Sequence, residues 1–433
     1  MSVIQTDKIF RRVFEMKKVF ALLLSLCLLL SASGALAEKL SITVWDANFN
    51  GNALQAAYED YKANVDPDFE MELNIVSGSS DVENDITLAG SSFDYSNLPD
   101  IVLFQDHFIQ RYVADYPDAW LDLEDAGINW DDFGAEKLSY STVDGVHYGV
   151  PVDNGTAIMA YRMDLLAECG YTVADMTGIT WDKFLEVGKE VYAKTGKALL
   201  SMDGSGNDLV YMMLQAEGKS QFKDGRPYIT ENEDLVKIVS IICEMAKEHV
   251  LILANDWTGY TNETIMQDQV AGVFNGNWII PTMSQVPENS GKWEITTLPT
   301  LTGAEGYAAN GGSSLYITSN CKNPELAKKF LAYTFGGSTG TYDEALRRGG
   351  VIGCCISAAQ SGVYQEGVPF FNGQAVYSKI VEMGSHVPVV EQNDYHYTAR
   401  GYIGNAIQEV LMGGDVESAL KNAEEQLIFA MGL

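Results

Sequence analysis

The chain has 433 residues, 46% of them hydrophobic and 20% charged, which is enough to bury a large core and to fold as two lobes or domains. Its formal net charge of -31 excludes a nucleic-acid-binding protein, because phosphate binding needs clustered Lys and Arg. An acidic surface suits a soluble protein that works outside the cytoplasm.

The N-terminus has the pattern of a secretory signal peptide. Met16-Lys17-Lys18 precedes an apolar run over residues 19–30, and Ala35-Leu36-Ala37 is a small-x-small cleavage site. The run is shorter than the ~20 residues of a membrane span. We expect translation to start at Met16, residues 1–37 to be removed after Ala37, and the protein to be exported to the periplasm or the cell surface. Cys27 leaves a lipid anchor open, although it lies inside the apolar run.

From residue 40 onward the pattern alternates between strand and helix. Apolar residues at period two or in short runs predict strands over 40–44, 71–75, 100–104 and 157–161. Helical spacing and caps predict helices from Thr180 to Gly196 and over 232–249, 323–335, 399–412 and 415–430. This βαβ pattern predicts an α/β fold with mostly parallel sheets flanked by helices.

Polar and aromatic residues follow three of the strands. They are Trp45-Asp46-Ala47-Asn48, Phe104-Gln105-Asp106-His107 and Asn275-Gly276-Asn277-Trp278. Ligands of parallel sheets bind beyond the carboxyl ends of the strands. An aromatic face beside carboxylates and amides suits a sugar, whose C–H face stacks on the ring while its hydroxyls need donors and acceptors.

Metal, disulfide and catalytic motifs are missing from the sequence. The five cysteines after the signal have no CxxC and no regular spacing, which excludes a disulfide framework and a zinc site. The segment 203–208 resembles a calcium loop but lacks the glycine at the sixth position and the glutamate at the twelfth, where Leu214 stands. No HExxH or Walker motif is present. We therefore expect no cofactor, no metal and no enzyme; a secreted hydrolase is the minor alternative.

Six stretches in order resemble the extracellular solute-binding proteins of ABC importers, specifically family 1, the carbohydrate-binding group that includes maltose-binding protein. These stretches are "LPDIVLFQD" (98–106), "DGVHYGVPVDNGTAIMAYRMDLLAECG" (144–170), "TWDKF" (180–184), "DQVAGVFNGNW" (268–278), "NGGSSLYITSNCKNPELAKKFLAYTF" (310–335) and "VESALKNAEEQL" (416–427). The resemblance implies a two-lobed periplasmic-binding-protein-like fold of type II with the ligand in a cleft between the lobes. It also implies a monomer that captures a carbohydrate, in particular an oligosaccharide, and delivers it to ABC transporter permease subunits.

The resemblance also places the lobes and the site. The N-terminal lobe takes residues 38–150 and 314–350, and the C-terminal lobe takes 151–313 and 351–433, with crossings near Val150-Pro151, Gly311-Gly312-Ser313 and Gly349-Gly350. Ligand-binding positions implied in this way are Trp278, Asn275, Asn277, Phe104, Gln105, Asp106, His107, Trp45, Asp46, Asn48, Asp153, Asn154, Trp257, Tyr260, Gly311, Gly312, Ser313, Tyr395 and Arg400. Trp181 is expected in the core. A non-sugar solute in the same fold, a polyamine or a metal, stays open as the alternative.

Overall fold

The structure is a computed structural model that describes residues 39–433. The signal peptide predicted over residues 1–37, and Cys27 within it, lie outside the described residues. Within the described range, no helix has both the length and the apolar character needed to cross a membrane.

Strands and helices alternate along the chain. The strands are β1 (Lys39–Trp45), β2 (Glu70–Val76), β3 (Ile101–Gln105), β4 (Thr142–Val143), β5 (Val146–His147), β6 (Gly149–Asp153), β7 (Ala157–Arg162), β8 (Leu200–Met202), β9 (Phe222–Lys223), β10 (Arg226–Pro227), β11 (Leu251–Leu253), β12 (Gly272–Gly276), β13 (Trp293–Thr296) and β14 (Ser313–Ile317). The helices are α1 (Asn52–Asn64), α2 (Ser79–Ser92), α3 (Asp106–Asp115), α4 (Ala135–Ser141), α5 (Met163–Glu168), α6 (Trp181–Thr195), α7 (Asn207–Ala216), α8 (Glu233–Lys247), α9 (Ile280–Met283), α10 (Pro324–Tyr333), α11 (Thr339–Gly349), α12 (Val376–Ser385), α13 (His396–Leu411) and α14 (Val416–Ala430).

The helix predicted from its caps is present as α6. The Thr180 hydroxyl accepts a hydrogen bond of 3.1 Å from the Lys183 amide, and Gly196 ends the helix in the left-handed region at φ 72°. Its Trp181 is fully buried, as expected, and stacks on Phe274 of β12 at 5.9 Å between ring centroids. The same helix therefore fixes β12, whose end reaches the candidate site.

The first sheet has the spatial order β2-β1-β3-β14-β6 and forms the N-terminal lobe with its helices. β1 pairs in parallel with β2 and β3, while β14 is antiparallel to both β3 and β6. β1, β3 and β6 therefore run the same way and end at one edge of the sheet, at Trp45, Gln105 and Asp153. β14 enters at that edge with Ser313.

The second sheet, β12-β7-β13, is antiparallel, whereas the sequence predicted mostly parallel pairing. β7 is its central strand and is antiparallel to both β12 and β13, whereas β8 and β11 form a separate short parallel pair. The chain enters β7 at residue 157, directly after leaving the first sheet, so β7 runs away from the first sheet while β12 runs toward it. Of these two strands, β12 is the one whose carboxyl end, at Gly276, faces the space between the lobes.

The first crossing lies three residues beyond its predicted place. Pro151 and Asp153 still pair with β14, and the chain changes sheet at 154–156. Val152 between them is fully buried. The remaining lobe limits stay a prediction. The segment after Gly350 contacts both lobes, because Ser357 binds Asp132 and Gln374 binds the backbone of β13.

Candidate functional site

Three strand ends form the wall of the cleft on the N-terminal lobe. After β1, Asp46 has a φ of 55° and its Oδ1 accepts hydrogen bonds of 3.1 Å from the amides of Asn48 and Phe49. This turn places Trp45, Asp46 and Asn48 on the cleft. After β6, Asp153 Oδ1 accepts from the amide of Ser313 at 2.7 Å and from its hydroxyl at 2.5 Å, which joins β6 to the start of β14.

The wall on the C-terminal lobe carries two tryptophans. Trp278 follows β12, and its indole Nε1 donates a hydrogen bond of 2.7 Å to the carbonyl of Asn310. Trp257 is 45% exposed and lies 5.5 Å from Trp278 between ring centroids at an angle of 44°. The bond to Asn310 holds the orientation of Trp278, so a ring face is available without further ordering.

A chain of hydrogen bonds supports this wall from behind. The Asn275 amide donates to Tyr260 Oη at 3.2 Å, and its oxygen accepts from the Asn310 amide at 2.9 Å. Asn310 also donates to Asp208 at 2.8 Å, and the other oxygen of Asp208 binds the Arg400 guanidinium. Because these groups bond one another, they order the wall before any ligand arrives.

Arg400 lies at the inner part of the cleft and is only 3% exposed. Its guanidinium carbon lies 5.2 Å from the ring centre of Tyr211 and 4.8 Å from that of Tyr397. Burial lowers the pKa of Arg400 to about 10, and the nearby carboxylate of Asp203 acts in the opposite direction. The Nε–H of Arg400 has no hydrogen-bond partner among the described residues.

Tyr397 joins the two lobes. Its hydroxyl lies 3.3 Å from Gln105 Nε2 and 3.3 Å from His107 Nδ1, both on the N-terminal lobe, and its ring stacks on Phe108 at 4.5 Å. Tyr397 belongs to α13, which packs against α14 and α7 of the C-terminal lobe. The structure thus holds the two lobes in contact at this end of the cleft.

Eleven of the predicted residues line one cavity of about 640 Å³, a size within the ordinary range for small-molecule sites. They are Trp45, Asp46, Asn48, Gln105, Asp153, Trp257, Trp278, Gly311, Gly312, Ser313 and Arg400.

Three residues predicted after β3 do not line this cavity. The Phe104 ring packs on Tyr112 and Trp120 in the core, because successive strand residues face opposite sides and the cleft side belongs to Gln105. Asp106 is buried in an ion pair with Lys137, and burial raises its pKa to about 6. His107 is buried among aromatic rings, and burial lowers the pKa of its imidazole.

Five further predicted residues also lie behind the cavity wall. Asn275 and Tyr260 belong to the supporting hydrogen-bond chain, and Asn277 and Asn154 are buried at the crossing between the sheets. Tyr395 packs against the core of the C-terminal lobe, because it precedes the first residue of α13. Their burial explains why they do not line the cavity.

Sequence reasoning missed several residues of the cavity wall. They are Phe49, Asn50, Asp203, Asp208, Pro281, Thr282, Gln285, Asn310 and Gly349. A signal existed for Asp203, which comes directly after β8. Tyr397, a candidate from the same stretch as Tyr395 and Arg400, also lines the cavity and lies one helical turn before Arg400 on the same face of α13.

No metal cluster is found in the part of the chain that the structure describes. There, no group of three or more His, Cys, Asp or Glu is arranged to hold an ion. The five cysteines of this part are free, and four of them are buried.

Comparison with known proteins gives consistent matches. The profile described as bacterial extracellular solute-binding protein matches residues 56–371. A lactose-binding protein of Rhizobium radiobacter is 31% identical over 417 residues, covering 95% of this chain and 97% of the relative.

Two solved structures share the fold. The sugar-binding protein MalE of Xanthomonas citri has a TM-score of 0.74 at 16% identity, over 90% of this chain and 96% of that one. A transporter-associated binding protein of B. animalis subsp. lactis Bl-04, in complex with beta-1,6-galactobiose, has a TM-score of 0.70 at 19% identity, over 91% and 97%. These likenesses confirm the predicted two-lobed fold of type II.

Proposed function

The chain belongs to the bacterial extracellular solute-binding protein family, and from that premise we propose that it captures a carbohydrate for an ABC importer. The ligand is a disaccharide or short oligosaccharide, held between the lobes and passed to membrane permease subunits. A relative that matches 95% of this chain is a lactose-binding protein, and a structural neighbour was solved in complex with beta-1,6-galactobiose.

One observation carries the proposal: aromatic rings from both lobes line the same cavity. Trp45 and Phe49 come from the N-terminal lobe, and Trp257 and Trp278 from the C-terminal lobe. A pyranose offers two C–H faces, so rings on opposite lobes can stack on it only when the lobes are together. Each stack contributes on the order of 1 kcal/mol beyond area burial.

The mechanism follows from this division of contacts. A ligand that touches both walls only in the closed form shifts the population toward closure by its differential affinity. Closure then presents a surface that the permease distinguishes from the open form. The protein does no chemistry on the ligand, in keeping with its membership of a family of solute-binding proteins. We further propose export as a monomer, with the signal removed near Ala37.

A polyamine is the second candidate ligand, because four carboxylates line the cavity. Asp46, Asp153, Asp203 and Asp208 are these residues. Asp208 is already paired with Arg400, and Asp153 accepts two hydrogen bonds from Ser313. Two of the four carboxylates therefore already have partners within the protein, and with aromatic rings on both walls we place the sugar first.

Calorimetric titration of a Trp278→Ala variant with lactose tests the site. Loss of the ring should weaken binding at least about tenfold, the usual effect of truncating a central tryptophan, while the protein stays folded at the temperature of the titration. Trp130→Ala is the matched control: Trp130 is also half-buried, stacks on His147 at 4.2 Å, and does not line the cavity. Equal affinities for the wild type and Trp278→Ala would remove Trp278 from the site.

A further inference from the structure

The charged groups of the cleft are strongly unbalanced. Four carboxylates line it, Asp46, Asp153, Asp203 and Asp208, against one cation, Arg400, among the described residues of the cavity wall. This leaves a net of three negative charges in a cavity of about 640 Å³. In a concave site with low-dielectric walls such charges act strongly on an entering ion.

The single cation is not free to receive an anion. Two of the nitrogens of Arg400 are in use, one in the ion pair with Asp208 and one 3.3 Å from the imidazole of His396. The third nitrogen, Nε, has no partner among the described residues but is buried, on a side chain that is 3% exposed. Because the Asp208 carboxylate already neutralises the guanidinium, Arg400 offers no unpaired positive charge to an anionic ligand.

The nearest buried lysine is neutralised in the same way. Lys137 lies behind Gly312, close enough that a Cβ on that glycine would be 2.9 Å from its Nζ. Its partner is Asp106, and it also donates to the Ser313 carbonyl at 3.3 Å. The carboxylate of Asp153 lies nearby as well, so Lys137 offers no excess positive charge to the cleft.

Asp203 adds a carboxylate that still needs donors. It is half-buried on the cleft, and no hydrogen bond from another side chain reaches it. Burial raises its pKa, while a hydrogen bond from its own backbone and the charge of Arg400 act in the opposite direction. Sugar hydroxyls can donate hydrogen bonds to this carboxylate. An ionised carboxylate or phosphate on the ligand has no proton to donate to it.

We infer that the cleft selects uncharged saccharides and excludes those that carry a carboxylate or a phosphate. The inference rests on the proposed function and sharpens it, because it fixes the charge class of the sugar. The carboxylates of the cavity wall accept hydrogen bonds from sugar hydroxyl groups, and the same negative charges repel anionic ligands.

The test compares sugars that differ only in charge. Three compounds are titrated separately for each of lactose, maltose and beta-1,6-galactobiose. They are the sugar itself, its uronate, in which the terminal C6 is oxidised to a carboxylate, and the methyl ester of that uronate. The ester keeps the added atoms without the charge. We expect the uronate to bind at least about tenfold more weakly than its ester, and the difference to shrink as salt rises from low to 0.5 M.

A charge variant assigns the effect to the cleft. Asp203→Asn keeps size and one acceptor, so it should reduce the uronate-to-ester ratio of dissociation constants severalfold. Asp85→Asn is the matched control, because Asp85 is exposed on α2 and outside the cavity wall, and it should leave the ratio unchanged.

The possible results separate the two proposals. A uronate that binds as tightly as its ester, or more tightly, overturns the charge selection and leaves the sugar-binding function standing. Equal reductions by Asp203→Asn and Asp85→Asn also overturn it, since the effect then comes from overall charge. Binding by none of these saccharides contradicts the proposed function, and the charge selection with it.

Discussion

Two glycines determine how Trp278 sits in the cleft. A Cβ on Gly276 would lie 2.3 Å from the indole Nε1, and one on Gly311 would lie 3.2 Å from it. The backbone of both residues therefore packs directly against the ring, and the carbonyl of Asn310 between them takes its hydrogen bond. The "NGNW" and "NGG" stretches, 32 residues apart, are parts of one structure.

His396 gives a prediction at the scale of a single residue. Burial lowers the pKa of its imidazole to about 3, and its Nε2 faces the Arg400 guanidinium at 3.3 Å. The unfolded chain has a pKa near 6.5 there, so it binds more protons than the folded protein as pH falls below that value. The stability that the neutral His396 imidazole contributes is therefore fully present above pH ~6.5 and is lost as pH falls toward 3.

The measurement is the free energy of unfolding by urea at pH 7.5 and pH 5. Wild type should lose about 2 kcal/mol more than His396→Gln on this acidification. The comparison between variants is needed because Glu136 and Asp106, whose pKa values burial raises to about 7 and about 6, act in the opposite direction. The exposed His386→Gln should behave as wild type. Identical losses in wild type and His396→Gln would show that His396 is not the group responsible.

For single residues, the sequence predicted which loops reach the cavity better than it predicted which of their side chains line it. Gln105 and Trp278 line the cavity, and each comes at or just after the end of a strand. Phe104 was also expected there, but alternation along β3 sends its side chain to the core. The helix predicted from residue 399 starts at His396, and this earlier start puts Tyr397 and Arg400 one turn apart on α13.

At the scale of elements, the two connections between the sheets run side by side. The Asn310 amide donates to the Gly155 carbonyl at 2.8 Å, and Thr156 bridges to Ala309. A Cβ on Gly155 would lie 2.6 Å from the carbonyl oxygen of Gly311. We propose that changes of backbone angle in these two touching segments rotate one lobe against the other.

Gly312→Ala tests this close packing. Gly312 has a φ of 103°, and a Cβ there would lie 2.6 Å from Asp106 Oδ2. Gly145 is the matched control, since its φ of 79° is also left-handed but nothing lies within 4 Å of the added Cβ. Both variants bear the cost of a left-handed residue, on the order of 1 kcal/mol. Gly312→Ala should lose at least about 1 kcal/mol more, in the range of strained sites.

Urea unfolding of both glycine variants provides the measurement. Equal losses of stability in the two variants would contradict this prediction. They would mean that the buried ion pair of Asp106 and Lys137 can move away from the added methyl group at no cost in free energy.

Local signals predicted the elements well, whereas pairing between distant strands escaped them. The cap at Thr180 and the stop at Gly196 fixed α6 to the residue. The antiparallel pairing of β7 with β12 joins residues about 110 apart and depends on where the chain crosses between sheets. No pattern within either strand encodes that direction.

For the whole molecule, the two lobes meet across a cleft whose walls offer complementary groups. Tyr397 already contacts Gln105 and His107 across the lobes, and the aromatic rings stand on both sides. The two-lobed class was readable from the order of six short stretches, none specific alone. The full set of residues that line the cavity could not be predicted in this way, because they come from positions 45 to 400 and only the fold brings them together.

The most direct test of the account is the melting temperature of the chain from residue 38 to 433 against a panel of ligands. The panel contains lactose, maltooligosaccharides, arabinooligosaccharides, spermidine and calcium. We predict that a neutral saccharide raises the midpoint, since ligand at 100 times its dissociation constant stabilises the folded state by about 2.7 kcal/mol. A shift with spermidine or calcium alone, or with none of these ligands, would contradict the assignment of the cleft as a sugar site.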